Sequence, residues 1–245
     1  AREASLSPAF GVSFIDTNAD VYVKVFSEIS SGLEFQIHSP FGTADIKIAL
    51  HGRFNAFNVT AAVVAVTGLG FPFTEVANAA SHLLPVDGRM QEVKGGSDIR
   101  VVVDYAHTPD ALSSALSALK QSCTGALWVV FGCGGDRDAG KRPEMGRIAD
   151  SLADQLVVTN DNPRSESPEM IAEDILVGIT GSACHVELDR GAAIRHAVLN
   201  ARSGDTVLVA GKGHENYQLV GKNKLDFSDV NSAAEALRER EAAHA

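Results

Sequence analysis

The sequence predicts an α/β protein: a mostly parallel sheet with helices on both faces, preceded by a smaller region of different texture. Three observations carry this prediction. In the later part of the chain, runs of continuous apolar residues alternate with helical stretches, and strands apolar on both sides belong to parallel sheets covered by helices. Near the start, apolar and polar residues alternate one by one, as in strands with one wet face. Between the two textures lies Leu84-Pro85-Val86-Asp87-Gly88, which divides the chain into residues 1–86 and 87–245.

In chain order, the runs VYVKVFS, LEFQIHS and ADIKIAL are separated by the turn-like Ser30-Ser31-Gly32 and Pro40-Phe41-Gly42 and suggest a small antiparallel meander. Helical spacing of small apolar residues follows over 55–67 and 73–84, with Gly68, Gly70 and Pro72 between them. Beyond the divide come strands IRVVVDYA, ALWVVFG, QLVVT, CHVEL and DTVLVAG. The first four lead to helices over 109–121, 142–153, 168–179 and 190–202, and a final surface helix is expected over 229–243. No internal repeat or low-complexity segment interrupts the series.

Composition narrows the function. Lys and Arg total 21 against 31 Asp and Glu, a formal charge of -10, which excludes a general nucleic-acid binder because phosphate backbones need a basic face. Three cysteines, Cys123, Cys133 and Cys184, are odd in number and lack paired metal-type spacing, so neither a disulfide framework nor a structural zinc site is expected; a reducing cytoplasm fits. Residues 1–20 contain no apolar core of a signal peptide, and the longest apolar region, 59–73, is broken by Thr and Gly, so no membrane segment is expected. The chain starts at Ala1 without Met, and its opening residues read as the middle of a longer protein, so a fragment is expected.

Ligands of open parallel sheets bind beyond the carboxyl ends of the strands, where this sequence places four polar loops: DYAHTPD, GCGGDRDAGKR, NDNPRSE and GKGHENYQ. The segment from Gly135 to Lys141 has the spacing of a phosphate-binding P-loop, but Arg142 stands where the Mg2+-binding Ser or Thr belongs, and Asp136 and Asp138 would put negative charge in the cradle. The dinucleotide fingerprint also fails, with Arg137 in place of its third glycine. What remains is a glycine-rich turn aiming Arg137 at an anion, or a solvated charged turn. Asn162 and Arg164, beside Pro163, offer an amide and a planar fork suited to a carboxylate, unless the segment is an ordinary surface turn. His214-Glu215 lacks the second His of a zinc protease; Gly211 and Gly213 permit close backbone approach, and Glu215 faces either an ammonium group or solvent. Asp104, Tyr105 and His107 could hold a ribose, a base or a proton, although a lone His beside an apolar strand is usually structural. Asn55 and Asn58 stand at a helix start, where Asn is also a common cap.

Taken in order, GRFNAFN, DGRMQEV, VDYAHTPDAL, GCGGDRDAGKR, TNDNPRSE and GKGHENYQ resemble the Mur ligases, within them the type that adds meso-diaminopimelate to UDP-MurNAc-L-Ala-D-Glu. The resemblance covers about residues 52–218. It implies that residues 1–86 are the end of the central ATP-binding domain and residues 87–245 the Rossmann-like C-terminal domain that receives the amino acid. It places Asn58 on adenine, Arg89 on the ATP phosphates, and Asp104 with His107 on the ribose and base side. Arg137, Asp161, Asn162, Pro163, Arg164, Gly211 and Glu215 fall on the diaminopimelate positions. The family's Gly-Lys-Thr P-loop, carbamylated lysine and most Mg2+ ligands have no counterpart here and are expected upstream of Ala1, so no catalytic residue and no metal ligand is assigned within this chain.

The activity so implied is ATP-dependent amide formation in peptidoglycan precursor synthesis. The glutamyl carboxylate takes the γ-phosphoryl group, and the diaminopimelate amine attacks the acyl phosphate, with positioning and charge neutralisation supplying most of the catalysis. The implied partners are UDP-MurNAc-L-Ala-D-Glu, meso-diaminopimelate and ATP with Mg2+; no nucleic acid and no membrane is among them. Three other readings stand beside it: a lysine-adding relative, whose substrate lacks the distal carboxylate that Arg164 would grip; a ligand-holding module without catalysis; and a nicotinamide dehydrogenase domain, disfavoured by the missing third glycine.

Overall fold

The computed structural model describes residues 9–29, 32–50, 52–95, 98–181 and 184–244. The chain divides into two compact units, Ala1–Pro85 and Val86–Ala245.

In the first unit, strands β1 (Val12–Ser13), β2 (Val21–Ile29), β3 (Gly32–Ser39) and β4 (Gly42–Ile48) form one sheet in that order, with β1 parallel to β2 and the rest antiparallel. The expected meander is present, although its turn at Ser30-Ser31 lies outside the described residues. Alternation sends Val21, Val23, Leu33, Phe35, Ile37, Ile46 and Ile48 to one face. Helices α1 (Arg53–Gly68) and α2 (Phe73–Ala80) cover that face with Ala56, Val59, Val63, Phe73 and Ala77. The α2 helix stops at Ala80, four residues earlier than expected. Leu84 precedes Pro85, which disfavours helical backbone there, and Leu83 and Leu84 are exposed, so nothing holds a further turn.

The second unit contains β5 (Gln91–Glu92), β6 (Arg100–Asp104), α3 (Pro109–Ser122), β7 (Leu127–Phe131), α4 (Lys141–Leu152), β8 (Gln155–Val158), α5 (Pro168–Leu176), β9 (Cys184–Val186), α6 (Arg190–Asn200), β10 (Thr206–Ala210), β11 (Tyr217–Val220), β12 (Asn223–Asp226) and α7 (Asp229–His244). Six strands make one sheet in the order β5-β6-β10-β7-β8-β9, parallel except for β5. The chain steps from β6 through β7 and β8 to β9 in one direction, then returns to insert β10 at the centre. Right-handed crossovers therefore put α3, α4 and α5 on one face and α6 on the other. On the α6 face Val101, Val103, Val207, Val209, Val130 and Val157 pack against Ala193, Ile194, Ala197 and Leu237.

Three expectations are corrected. Helices α5 and α6 end at Leu176 and Asn200, short of 179 and 202; Gly178 sits where a side chain would strike the Pro143 carbonyl, so the backbone there turns against α4. The last helix is no mere surface helix: Asp229, Ala233, Leu237 and Arg240 are buried. The hairpin β11–β12 was unforeseen; its pairs run from Tyr217↔Asp226 to Val220↔Asn223 about a turn at Gly221, whose φ of 57° favours glycine.

Candidate functional site

All four polar loops of the second unit leave the carboxyl ends of adjacent strands, and they touch one another. The Gly211 amide donates to the Asp104 carbonyl (3.0 Å), joining the loops after β10 and β6. The Gly135 amide donates to the Asn162 carbonyl (2.9 Å), joining those after β7 and β8. Lys141 Nζ donates to the His107 carbonyl (2.8 Å), closing the group.

The loop after β8 is the most constrained. Asp161, Asn162 and Pro163 are buried. Asn162 Oδ1 accepts from Lys212 Nζ (3.0 Å) and the Leu219 amide (2.9 Å), while Nδ2 donates to Glu215 Oε2 (3.1 Å). Lys212 also reaches Glu215 Oε2 (3.1 Å). The Asp161 carbonyl accepts from Gln218 Nε2 (2.8 Å). A side chain at Gly211, whose φ is 122°, would lie 2.7 Å from Asp161 Oδ2, so the approach of the two loops needs glycine there.

Arg164 adopts a left-handed backbone, φ 53°, which costs a non-glycine residue about 1 kcal/mol. The β11–β12 hairpin holds it there: the Arg164 amide donates to Leu219 O (3.0 Å) and its carbonyl accepts from the Gly221 amide (2.7 Å). Its direction is thus fixed by the hairpin as well as by Pro163. Arg164 Nη1 donates to the carbonyls of Gly135 (2.8 Å) and Asn162 (3.3 Å); Nε and Nη2 make no hydrogen bond among the described residues.

In the loop after β7, Asp136 is also left-handed, φ 55°. Its carboxylate accepts from the Ser165 hydroxyl (2.6 Å) and amide (3.2 Å), which lower its pKa, and its amide donates to Glu166. Glu166 is in turn clasped by Arg142 (2.8 Å), which also binds Asp174 (2.9 Å). Arg142, which breaks the P-loop pattern, is therefore a buried strut between loop and α5. Arg137 is exposed, and among the described residues it donates only to the Asp136 carbonyl (3.0 Å).

The loop after β6 is aromatic. The Arg89 guanidinium lies 4.6 Å from the Tyr105 ring centre, and Tyr105 contacts His107 edge-on at 4.6 Å and His214 at 5.3 Å. Arg89 and His107 are exposed, and His107 Nδ1 bonds the Tyr105 carbonyl (2.8 Å). Asp104 is buried, accepting from the Met90 amide (2.7 Å). Burial raises its pKa, against the lowering effects of that amide and the Arg89 charge.

Asn58 belongs to the first unit, exposed on α1. Neither it nor Asn55 caps that helix, whose N-cap is Gly52. Sequence reasoning missed Lys212, the node of the Asn162–Glu215 network, and the hairpin that braces Arg164. No local signal marked either: Lys212 owes its place to acceptors from distant loops.

A family model described as Mur ligase, glutamate ligase domain matches residues 88–213, just over half of the chain. The chain belongs to the Mur ligase family. Among curated relatives, this Mur ligase chain is 48% identical over 220 residues to the UDP-N-acetylmuramoyl-L-alanyl-D-glutamate--2,6-diaminopimelate ligase of Chromobacterium violaceum, covering 89% of this chain and 45% of that protein. A solved structure of a ligase of that name superposes with a TM-score of 0.64 at 38% identity, over 96% of this chain and 48% of the other. The fold alone is shared with MurC of Thermotoga maritima, TM-score 0.66 at 17% identity, over 93% of this chain and 47% of that one. The Mur ligase chain spans about half the length of the curated relatives it matches. Among its described residues no helix is long and apolar enough to cross a membrane.

Proposed function

We propose that this chain is the C-terminal part of an ATP-dependent cytoplasmic ligase that adds meso-diaminopimelate to UDP-MurNAc-L-Ala-D-Glu, a step of peptidoglycan precursor synthesis. On this reading residues 87–245 receive the amino acid and residues 1–86 complete the ATP-binding domain. The observation that carries it is the juxtaposition of Arg164 and the Asn162–Glu215 pair. The far end of diaminopimelate bears a carboxylate and an ammonium. Among the described residues Arg164 has two unbonded guanidinium nitrogens for the first, and Glu215 has an unbonded carboxylate oxygen, Oε1, for the second. Arg137, on the neighbouring loop, adds positive charge toward the same carboxylate; Asp161, Pro163 and Gly211 shape the backbone around it.

ATP fits the residues present. Within the second unit, Arg89 offers an exposed cation for phosphate, Tyr105 and His214 offer flat faces for a base, and Asp104 and His107 stand beside them. When bound, ATP supplies the phosphoryl group that activates the glutamyl carboxylate, and this chain's residues hold the attacking amine in position. Mg2+ finds no such fit: no group of three or more His, Cys, Asp or Glu among the described residues could hold it, and no step is assigned to it here.

The test is phosphate release by the ligase containing this chain, required to depend on both UDP-MurNAc-L-Ala-D-Glu and meso-diaminopimelate. Equal rates with lysine would move the reading to a lysine-adding relative; diaminopimelate binding without ATP turnover would leave a ligand-holding module. The 245 residues alone contain no P-loop sequence and should turn over no ATP.

A further inference from the structure

We propose that Lys212 is a positioning residue for the amino-acid subsite, setting which atoms of Asn162 and Glu215 face the incoming substrate. The inference rests on the functional reading above and deepens it. Lys212 is wholly buried, with 0% exposure, and a buried ammonium is tolerated only when it is paired and hydrogen-bonded. Here two of its donors go to Asn162 Oδ1 and Glu215 Oε2, and the ammonium also lies 5.6 Å from the centre of the Tyr217 ring. With its donors so committed, Lys212 is poorly placed to bind a ligand directly. Its effect is on its neighbours.

The amide of Asn162 has two orientations of nearly equal shape, and its partners decide between them. Both groups facing Oδ1, the Lys212 ammonium and the Leu219 amide, are donors. They force Nδ2 toward Glu215, where one hydrogen binds Oε2 and the second is left for a ligand acceptor. Glu215 Oε2 is then saturated by Nδ2 and Nζ, while Oε1 has no hydrogen-bond partner among the described residues. The ligand therefore meets one amide hydrogen and one carboxylate oxygen in a fixed relation. Without the ammonium, Asn162 Oδ1 keeps only the Leu219 amide and Glu215 Oε2 keeps only Asn162 Nδ2, so the pair loses the bridge that fixes its two members relative to each other. Holding two recognition groups in advance lowers the cost of binding and should appear mainly in KM for the amino acid.

The experiment is steady-state kinetics of the active ligase carrying Lys212→Met, which keeps most of the stem volume and removes the charge. KM for meso-diaminopimelate should rise about tenfold or more, while KM for ATP and kcat change less than about twofold. On an Asn162→Ala background the same substitution should cost much less, because its target is gone. Lys212→Gln, which keeps a neutral donor for Asn162 Oδ1, should show the same split at smaller size and serves if the Met variant does not fold. A folded variant with an unchanged diaminopimelate KM, or with KM for both substrates raised alike, overturns the positioning role. If the unsubstituted ligase does not use meso-diaminopimelate, the functional reading fails first and takes this inference with it.

Discussion

Both ends of the six-stranded sheet carry polar side chains, yet they use them differently. At the amino ends, acids are paired with backbone. Asp205 accepts from the Ala126 amide (2.7 Å), the Arg202 amide (2.8 Å) and Trp128 Nε1 (3.0 Å). Asp154 accepts from the Leu127 amide (2.8 Å) and Lys120 (2.6 Å), and Arg240 joins Asp98 to the carbonyls of Val198 and Ala201. At the carboxyl ends, side chains bind one another across loops and leave Arg164 Nε and Nη2 and Glu215 Oε1 open. All three described non-glycine residues with positive φ, Met90, Asp136 and Arg164, lie there. Backbone strain lies beside open hydrogen-bonding groups at the carboxyl ends, the end proposed to receive a ligand, while saturated groups on relaxed backbone lie at the amino ends.

The largest expected effect tests the stable end. Asp205→Ala strands three donors and should cost about 3 kcal/mol of unfolding free energy, read by chemical denaturation, with the folded variant keeping its KM for diaminopimelate. A matching loss of substrate affinity would erase the distinction between the ends.

The next sharpens the other end. Arg164→Ala should lower kcat/KM for meso-diaminopimelate roughly thirtyfold, about 2 kcal/mol, leaving the ATP requirement nearly unchanged and any turnover of lysine scarcely affected. Equal losses for both amino acids would make Arg164 a loop brace, which its bonds to Gly135 and Asn162 would explain. Arg137→Ala should be milder, about 1 kcal/mol, since that side chain is exposed. If both arginines grip one carboxylate, the double variant loses less than the sum.

The smallest effect is a pH dependence of opposite sign at the two ends. Burial raises the Asp104 pKa, so its contribution to stability is present below the ordinary carboxylate value and lost as pH rises through the raised one. At Asp154, burial is outweighed by the Leu127 amide and Lys120, and the pKa falls; that contribution is present above the ordinary value and lost on acidification. Asp104→Asn should therefore gain stability relative to the unsubstituted protein as pH rises above the ordinary carboxylate value of about 4. A gain that does not grow with pH would show that Asp104 keeps its charge in the fold.

Much of this was legible in the residues. Period-two alternation in VYVKVFS, LEFQIHS and ADIKIAL fixed the meander, and apolar runs such as IRVVV and TVLVA announced strands covered on both faces, because the faces a strand shows are a local property of its side-chain order. The four loops were visible as polar breaks after those runs. Which strands are neighbours was not. The insertion of β10 between β6 and β7 brings residues about a hundred positions apart into register, and only that insertion sets GKGHE beside both DYAH and NDNPR. The hairpin was hidden because its eight strand residues alternate weakly and five of them lie exposed, so their pairing is decided by Arg164, Asp161 and Asn162, which they brace. Lys212 reads as a surface cation in sequence. Its role comes from burial between Asn162 and Glu215, and a lysine enters such a place only where tertiary structure supplies acceptors that no local pattern reveals.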